Sequence, residues 1–449
     1  DYPALVEWLE RWPLPTGARL VQPTWDREKD DLLDLADAEG FLLASFTEHR
    51  IELDLDAQRA DLFLVLDTGP RAVFGEVRWE QDFLRDHVLD PVPRFVNGDS
   101  YRGWLVDQLR MDLWRLGFFE DIELNERRDL EAQPPVVDLE VRLTRIHRAT
   151  HQGTLGYGTD TDFRMQYRWQ RHLLSDRGDS LSTGFGLQTR RDELLLFGEY
   201  RLPRKVSSQQ YWLLNPILRR EDQLFGFDVD GRAEPLPIAT GTTEDLFLRL
   251  GRARVRSPQE SREQIIETFF AQYLSESSDY EPLPELPVDD DLAQDLLPEG
   301  DTDSLAFGAS WDWPMIRREG FDITGHRERA WFFTSNEAWG SDVDFTQAYL
   351  SSRWVFRLAE NWRLLLRGEL GWSEADVEEL ALEVDGATVN VSLTELPFQY
   401  RFRAGGSFSV RGYDFESLSN NGIGSNNIVT ASTELEYRFR DNWSAVAFV

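Results

Sequence analysis

The sequence predicts a chain in two parts, α+β domains followed by a transmembrane antiparallel β-barrel. Three observations carry that expectation. The first ~145 residues mix helical and strand periods, and the remainder is strand-like almost throughout. The later strands run to ~9–14 residues, the length a tilted membrane strand needs. Many of them set large aromatics on one face and charges on the other.

In the first part, Leu105, Leu109, Leu113 and Leu116 recur at helical spacing, and the segment stops at Gly117, as a left-handed helix cap requires. FFEDIEL follows, then VVDLEVRL at 136–143. There Val137, Leu139, Val141 and Leu143 share one face and Asp138, Glu140 and Arg142 the other, the pattern of a half-buried strand. The same order occurs earlier: a helix through Leu32, Leu35 and Ala36 ends at Gly40–Phe41 and leads into FTEHRIELDL and RADLFLVLDTGP. Helix, Gly-Phe and paired strands therefore repeat 77 residues apart, from Gly40 to Gly117. AVFGEVRWE opens the second copy, whereas only the helical YPALVEWLERW stands ahead of the first, so the first copy reads as lacking its opening strand. The expected boundaries are 1–71, 72–146 and 147–449.

Strand-like segments fill the third region. In DFRMQYRWQ, Phe163, Met165, Tyr167 and Trp169 face one side and Arg164, Gln166, Arg168 and Gln170 the other, which suits lipid outside and a wet lumen inside. NWRLLLRGELGW repeats the arrangement, with Trp362, Leu364, Leu366, Leu370 and Trp372 opposite Arg363, Arg367 and Glu369; Trp at both ends fits interfacial belts. Further strands are expected near 180–190, 193–203, 209–222, 243–256, 263–274, 304–315, 325–336, 343–358, 427–440 and 443–449. Residues 275–303 are acidic and proline-rich and read as a long exposed loop. A second long connection is expected over 374–426.

Composition narrows the function. With 81 Asp and Glu against 48 Lys and Arg, the formal net charge is −33, which repels phosphate backbones and disfavours nucleic acid. The absence of cysteine removes disulfides, thiolate metal sites and cysteine nucleophiles. GGSFS at 405–409 lacks the last glycine of a nucleophile elbow, and DVDGR at 228–232 lacks the closing glutamate of a calcium loop. No catalytic, metal or cofactor site emerges, and the acidic excess is equally compatible with a salty habitat and with repulsion from lipopolysaccharide phosphates.

The motif that stands out is SVRGYDF at 409–415, after Gly405–Gly406 and before the strand IVTASTELEYRFR. On that strand Glu434 and Glu436 share the polar face. On the residues alone, Arg411 is either an arginine of an exposed external loop or a latch that folds into the lumen and pairs with a carboxylate. Gly412 would allow close approach, and Tyr413 would add a packing surface with a polar tip.

SVRGYDF resembles the VRGY/F motif of the outer-membrane assembly superfamily that contains BamA, TamA and the two-partner secretion transporters. AWGSDVDF at 338–345 (with Trp339, Gly340, Ser341 and Asp342), RFRAGGSFSVRGYDF at 401–415 and TELEYRF at 433–439 look most like its TamA-like branch, in the same order. The resemblance implies periplasmic POTRA domains of β-α-α-β-β order and a sixteen-stranded barrel of which this chain would reach the thirteenth strand. It also implies that Arg411 meets Glu436, with Glu434 a same-face neighbour.

What the resemblance implies for function is an outer-membrane assembly factor, not an enzyme. It would insert or translocate outer-membrane and autotransporter proteins from the lipid bilayer, with unfolded clients and a TamB-type inner-membrane-anchored partner. Gly153, Gly156 and Gly158 would weaken the first barrel strand into an openable seam, or simply ease its curvature. A two-partner-secretion-type export pore and an outer-membrane barrel hydrolase are the alternatives.

Overall fold

The computed structural model describes residues 2–449 apart from 159–161, 206–208, 228–235, 257–263, 283–299, 320–321, 385–386, 407–408, 414–415, 419–423 and 441–442. Two compact units divide it: residues 1–147 with Ser175–Gly178, and Arg148–Leu174 with Asp179–Val449.

The first unit contains helices α1 (Pro3–Glu10), α2 (Gln22–Ala38) and α3 (Gly103–Leu116), and strands β1 (Ser45–Asp54), β2 (Arg59–Asp67), β3 (Val73–Glu80), β4 (Phe119–Asp129) and β5 (Val136–Arg145). Pro3 and Pro23 sit in the first turns of α1 and α2, where a missing N–H costs nothing. The first copy of the repeat is α1, α2 and the antiparallel pair β1–β2; the second is a three-stranded sheet ordered β3-β5-β4, with β3 parallel to β5. Val106, Leu109 and Leu113 of α3 are buried with Val137, Leu139 and Val141 of β5, joining helical and strand periods in one core. Phe74 and Phe95 stack at 3.7 Å within it.

Where the family pattern implies a second helix, residues 81–102 form turns instead. Pro91, Pro93 and Gly98 explain this, since each disfavours helix interior. The two copies are fused at Gly40, whose φ of +95° and missing Cβ leave room for the Tyr101 carbonyl. Ala72 N–H donates to Gly40 O at 2.8 Å, and Arg128 donates to both carboxylate oxygens of Asp37 at 2.7 and 3.0 Å. Arg128 also grips Glu126, which accepts the Tyr101 hydroxyl at 2.8 Å. Burial, and then that carboxylate, push the Tyr101 phenol well above its ordinary range.

The second unit is built on one antiparallel sheet of thirteen strands. In chain order these are β6 (Ala149–Gly158), β7 (Asp162–Arg171), β8 (Ser180–Gln188), β9 (Glu193–Lys205), β10 (Gln210–Phe227), β11 (Leu236–Arg256) and β12 (Ile265–Pro282). They continue as β13 (Gly300–Glu319), β14 (Asp322–Ser335), β15 (Phe345–Ala359) and β16 (Trp362–Ala375). A separate hairpin, β17 (Val377–Val384) and β18 (Ala387–Thr394), precedes β19 (Asn427–Arg440) and β20 (Trp443–Phe448). Each strand of the large sheet pairs with its sequence neighbour, except that β16 pairs with β19 across the hairpin and the loop after it.

Polarity in this sheet is inverted relative to a water-soluble protein. Leu246, Leu248 and Leu250 of β11 are exposed, whereas Thr243 and Asp245 are buried; Phe269 of β12 is 55% exposed, whereas Gln272 is 1% and Glu276 7% exposed. An apolar outer face and a polar inner face are the signature of strands in lipid. No helix among the described residues is long and apolar enough to cross a membrane.

Two expected loops are shorter than the sequence suggests. Within 275–303, residues 275–282 continue β12 and 300–303 begin β13, with Ser275 opposite Asp303 and Ser278 opposite Gly300; 283–299 lie outside the described residues. Serines and acids there hide the strand period because both faces are polar. The 374–426 connection carries the β17–β18 hairpin, whose ladder runs from Val377↔Thr394 to Val384↔Ala387.

Leu113→Ala, a fully buried truncation in α3, is expected to destabilise the first unit by about 2–5 kcal/mol. The measurement is the urea midpoint for protease cleavage within residues 1–147 of the full chain.

Candidate functional site

The segment that follows the β17–β18 hairpin lies against the polar face of the large sheet. Glu276 of β12 accepts the backbone N–H groups of Phe398 and Gln399 at 2.8 and 3.0 Å, capping the 3-10 turn Phe398–Tyr400. One carboxylate thus satisfies two consecutive donors, a charge-assisted arrangement roughly twice as strong as neutral bonds. Gln272 donates to the Tyr400 hydroxyl at 3.1 Å, and Gln347 of β15 donates to the Tyr400 carbonyl at 2.7 Å and to Ser373 of β16 at 2.8 Å. Arg219 of β10 donates to Gln399 at 2.8 Å. Strands β10, β12 and β15 therefore all hold one short turn, which requires the sheet to curl around it.

Two buried arginines stiffen the segment. Arg401 donates to the carbonyls of Leu396 and Thr394 at 2.7 and 3.1 Å. Arg403 donates to the Phe398 carbonyl at 3.1 Å, and its guanidinium lies 3.6 Å from the centre of the Phe398 ring. A cavity of about 630 Å³ remains beside the turn, lined by Arg219, Asp245, Arg249, Phe270, Gln272 and Tyr400 among others. Arg249 reaches over the Phe270 ring at 4.3 Å and donates to Gln272 at 2.7 Å.

Further along, Arg411 Nη1 lies 3.2 Å from Glu434 Oε2, with its guanidinium 5.6 Å from the Phe448 ring centre. Gly412 adopts φ +94° with open space where a Cβ would stand, and Tyr413 is exposed while its carbonyl accepts the Gly406 N–H at 3.1 Å. Asp414 and Phe415, the end of SVRGYDF, lie outside the described residues.

The expected pairing of Arg411 with Glu436 is not the one found. Glu436 stands directly opposite Arg363 in the β16–β19 ladder and accepts from it at 2.6 and 3.0 Å, so a cross-strand neighbour already engages that carboxylate. Glu434 is opposite Leu365, which offers no charge, and its 5%-exposed side chain takes Arg411 together with Arg367 at 2.8 Å. Ladder register explains the substitution of one glutamate for the other.

The remaining anticipated residues lie elsewhere. Gly153, Gly156 and Gly158 are in β6, which pairs only with β7 among the described residues; Gly158 faces Asp162 in that ladder. The Arg164 side chain, across from Gly156, comes within 2.8 Å of where a Cβ would sit there, whereas the space at Gly153 is open. Trp339, Gly340, Ser341 and Asp342 form the β14–β15 turn. Ser341 Oγ accepts the Leu305 N–H at 2.8 Å, Asp342 accepts the Asp303 N–H at 2.7 Å, and Gly340 adopts φ +89°. That segment ties a turn to β13.

Sequence reasoning missed Glu276, Gln272, Gln347 and the buried arginines. Their signal was present as inward polar residues on otherwise apolar strands, as in FFAQYLSE, and as the basic run RFR.

Residues 320–449 match the Omp85 superfamily domain. The whole chain superposes on BamA from Haemophilus ducreyi lacking POTRA domains 1–3, with a TM-score of 0.69 at 16% identity, covering 84% of that chain. CdiB from Escherichia coli aligns over all of this chain and 76% of its own at 13% identity and TM-score 0.48. CdiB from Acinetobacter baumannii aligns over 98% and 73% at 14% identity and TM-score 0.49. The first of these shows the fold: a large antiparallel sheet of the BamA barrel type.

Glu276→Gln leaves one acceptor oxygen for two backbone donors, so one of the two bonds is lost and a buried N–H is left unsatisfied, a cost of about 1–3 kcal/mol. The expected result is trypsin cleavage after Arg401 or Arg403 in the folded variant under conditions that leave the parent uncut.

Proposed function

We propose that the protein is an assembly factor of the bacterial outer membrane that inserts or translocates other outer-membrane proteins. The observation that carries this reading is the docking of the Arg411 loop on the inner face of a sheet that includes the Omp85-matching strands. A β-barrel whose wet interior is occupied by its own loop is built to be held shut and released rather than to conduct freely.

The β6 edge supplies the working surface in this proposal. Strands β6, β7 and β8 have 10, 10 and 9 residues, against 18, 21, 18 and 20 in β10 to β13, so fewer ladder bonds hold the sheet near that edge. Gly153, Gly156 and Gly158 add no packing to it. An edge strand presents alternate N–H and C=O groups that template an incoming strand by β-augmentation. The client is an unfolded outer-membrane or autotransporter strand, and the step needs no cofactor and no bond-making chemistry.

On this reading the first unit is a pair of POTRA-type repeats in the periplasm, and the protein is TamA-like, working with a TamB-type partner anchored in the inner membrane. The order of helix and paired strands in each copy supports it. The irregular 81–102 segment is a departure from that pattern.

A photo-crosslinking residue at Leu155 or Tyr157, both exposed on β6, is expected to capture nascent outer-membrane proteins of several kinds in cells. Capture of one dedicated exported protein would instead mark an export pore, and no adduct at either position would refute the edge as the working surface. Arg411→Ala leaves Glu434 still paired with Arg367, and Arg411 is about a third exposed, so the expected cost is about 1 kcal/mol. It is read as a small drop in the temperature at which the barrel loses its heat-modifiable electrophoretic form.

A further inference from the structure

The loop that carries Arg411 is held at its neck as well as at its tip. Arg403 precedes the motif and Glu416 follows it, and Arg403 Nη1 lies 3.5 Å from Glu416 Oε2. The same Glu416 oxygen accepts from Arg191 Nη1 at 2.8 Å, and Arg403 Nη1 lies 3.6 Å from Glu221 Oε1 of β10. Charges alternate along this chain of four, and Arg403 and Glu221 have side chains 8% and 6% exposed. Backbone bonds draw the arms together above and below it. Phe402 and Ser425 exchange two hydrogen bonds, at 2.8 and 2.9 Å, Leu418 N–H donates to Ala404 O at 3.0 Å, and Gly406 N–H donates to Tyr413 O at 3.1 Å.

The strands gripped at the two places lie far apart in the sheet. Arg191 is in the β8–β9 turn, which is hooked to β10 by the Asp222 N–H donating to the Arg191 carbonyl at 2.7 Å. In the sheet order eight strands stand between β8 and β19, which supplies Glu434. We propose that Arg191, Glu221, Arg403 and Glu416 form a second clamp, which fixes the neck of the loop and thereby positions Arg411 against Glu434. The loop then ties β8–β10 to β19, and these four are positioning residues for the edge opening described above, on whose reading the clamp's role rests. A displacement of β8–β10 relative to β19 has to break the neck or the tip.

A salt cluster that merely neutralises buried charge would satisfy the same distances but would not control the tip. The test places cysteines at 411 and 434 of the full-length, otherwise cysteine-free protein in lipid vesicles and measures the rate of crosslinking by a short bismaleimide. Arg191→Gln and Glu416→Gln are added singly and together, with heat-modifiable mobility confirming a folded barrel. Each single change is expected to slow crosslinking about tenfold, and the double to be no slower than the worse single, because partners in one clamp do not add. Unchanged rates in folded singles, or effects that multiply in the double, would overturn the clamp. Should Glu416→Gln not fold, Arg191→Gln in the β8–β9 turn decides alone, since an unchanged tip would already be fatal. The readout contains no client, so a failure of client capture at β6 with the crosslinking result intact would count against the assembly reading and leave the clamp standing.

Discussion

A polar inner face that must be kept satisfied is the constraint on which the second unit depends. Turning apolar side chains outward places Asp245, Gln272, Glu276, Gln347 and Glu434 on the inside, each nearly dry. A buried charge without a partner is costly, and a half-satisfied network is worse than none. The segment from Leu396 to Leu418 answers this requirement. Its backbone donors meet Glu276, its amide and phenol meet Arg219 and Gln272, and Arg411 completes Glu434. The loop and the wall are therefore one packing problem, and neither sequence makes sense without the other.

The same logic places strength and weakness within the sheet. Its tall central strands carry the amides and acids that hold the turn, while the strands near β6 are short, glycine-bearing and exposed on their apolar side. Stability and access are thus separated along the strand order. The first unit follows ordinary rules by contrast, with apolar residues inward and ion pairs such as Arg128–Asp37 at the margin.

Much of this was legible in the sequence. Alternation located the strands because Trp362 to Trp372 and Phe163 to Trp169 must change faces at every residue, and Gly117 marked a helix end through its left-handed backbone. The loop motif pointed to Arg411, and strand parity put Glu434 and Glu436 on the same face. Which glutamate it meets was not legible, because the answer depends on Arg363 standing opposite Glu436, a cross-strand register that no local pattern encodes. The extension of β12 into Ser275–Pro282 was hidden for a related reason: a strand with two polar faces has no hydrophobic period to detect. The β-α-α-β-β order that the resemblance implies is not met between β3 and α3, where Pro91 and Pro93 disfavour a helix interior.

The length of β10 to β13 has one more consequence. Crossing a bilayer takes about 9–11 residues of tilted strand, so nearly half of each of these 18- to 21-residue strands continues beyond the hydrocarbon. Their ladders do not end at the interface, and moving the sheet up or down by one residue pair breaks no backbone hydrogen bond. The Ser275–Pro282 end of β12 is polar on both faces, so this added height belongs in water, and pushing it into the bilayer would bury acids at a cost that rises with depth.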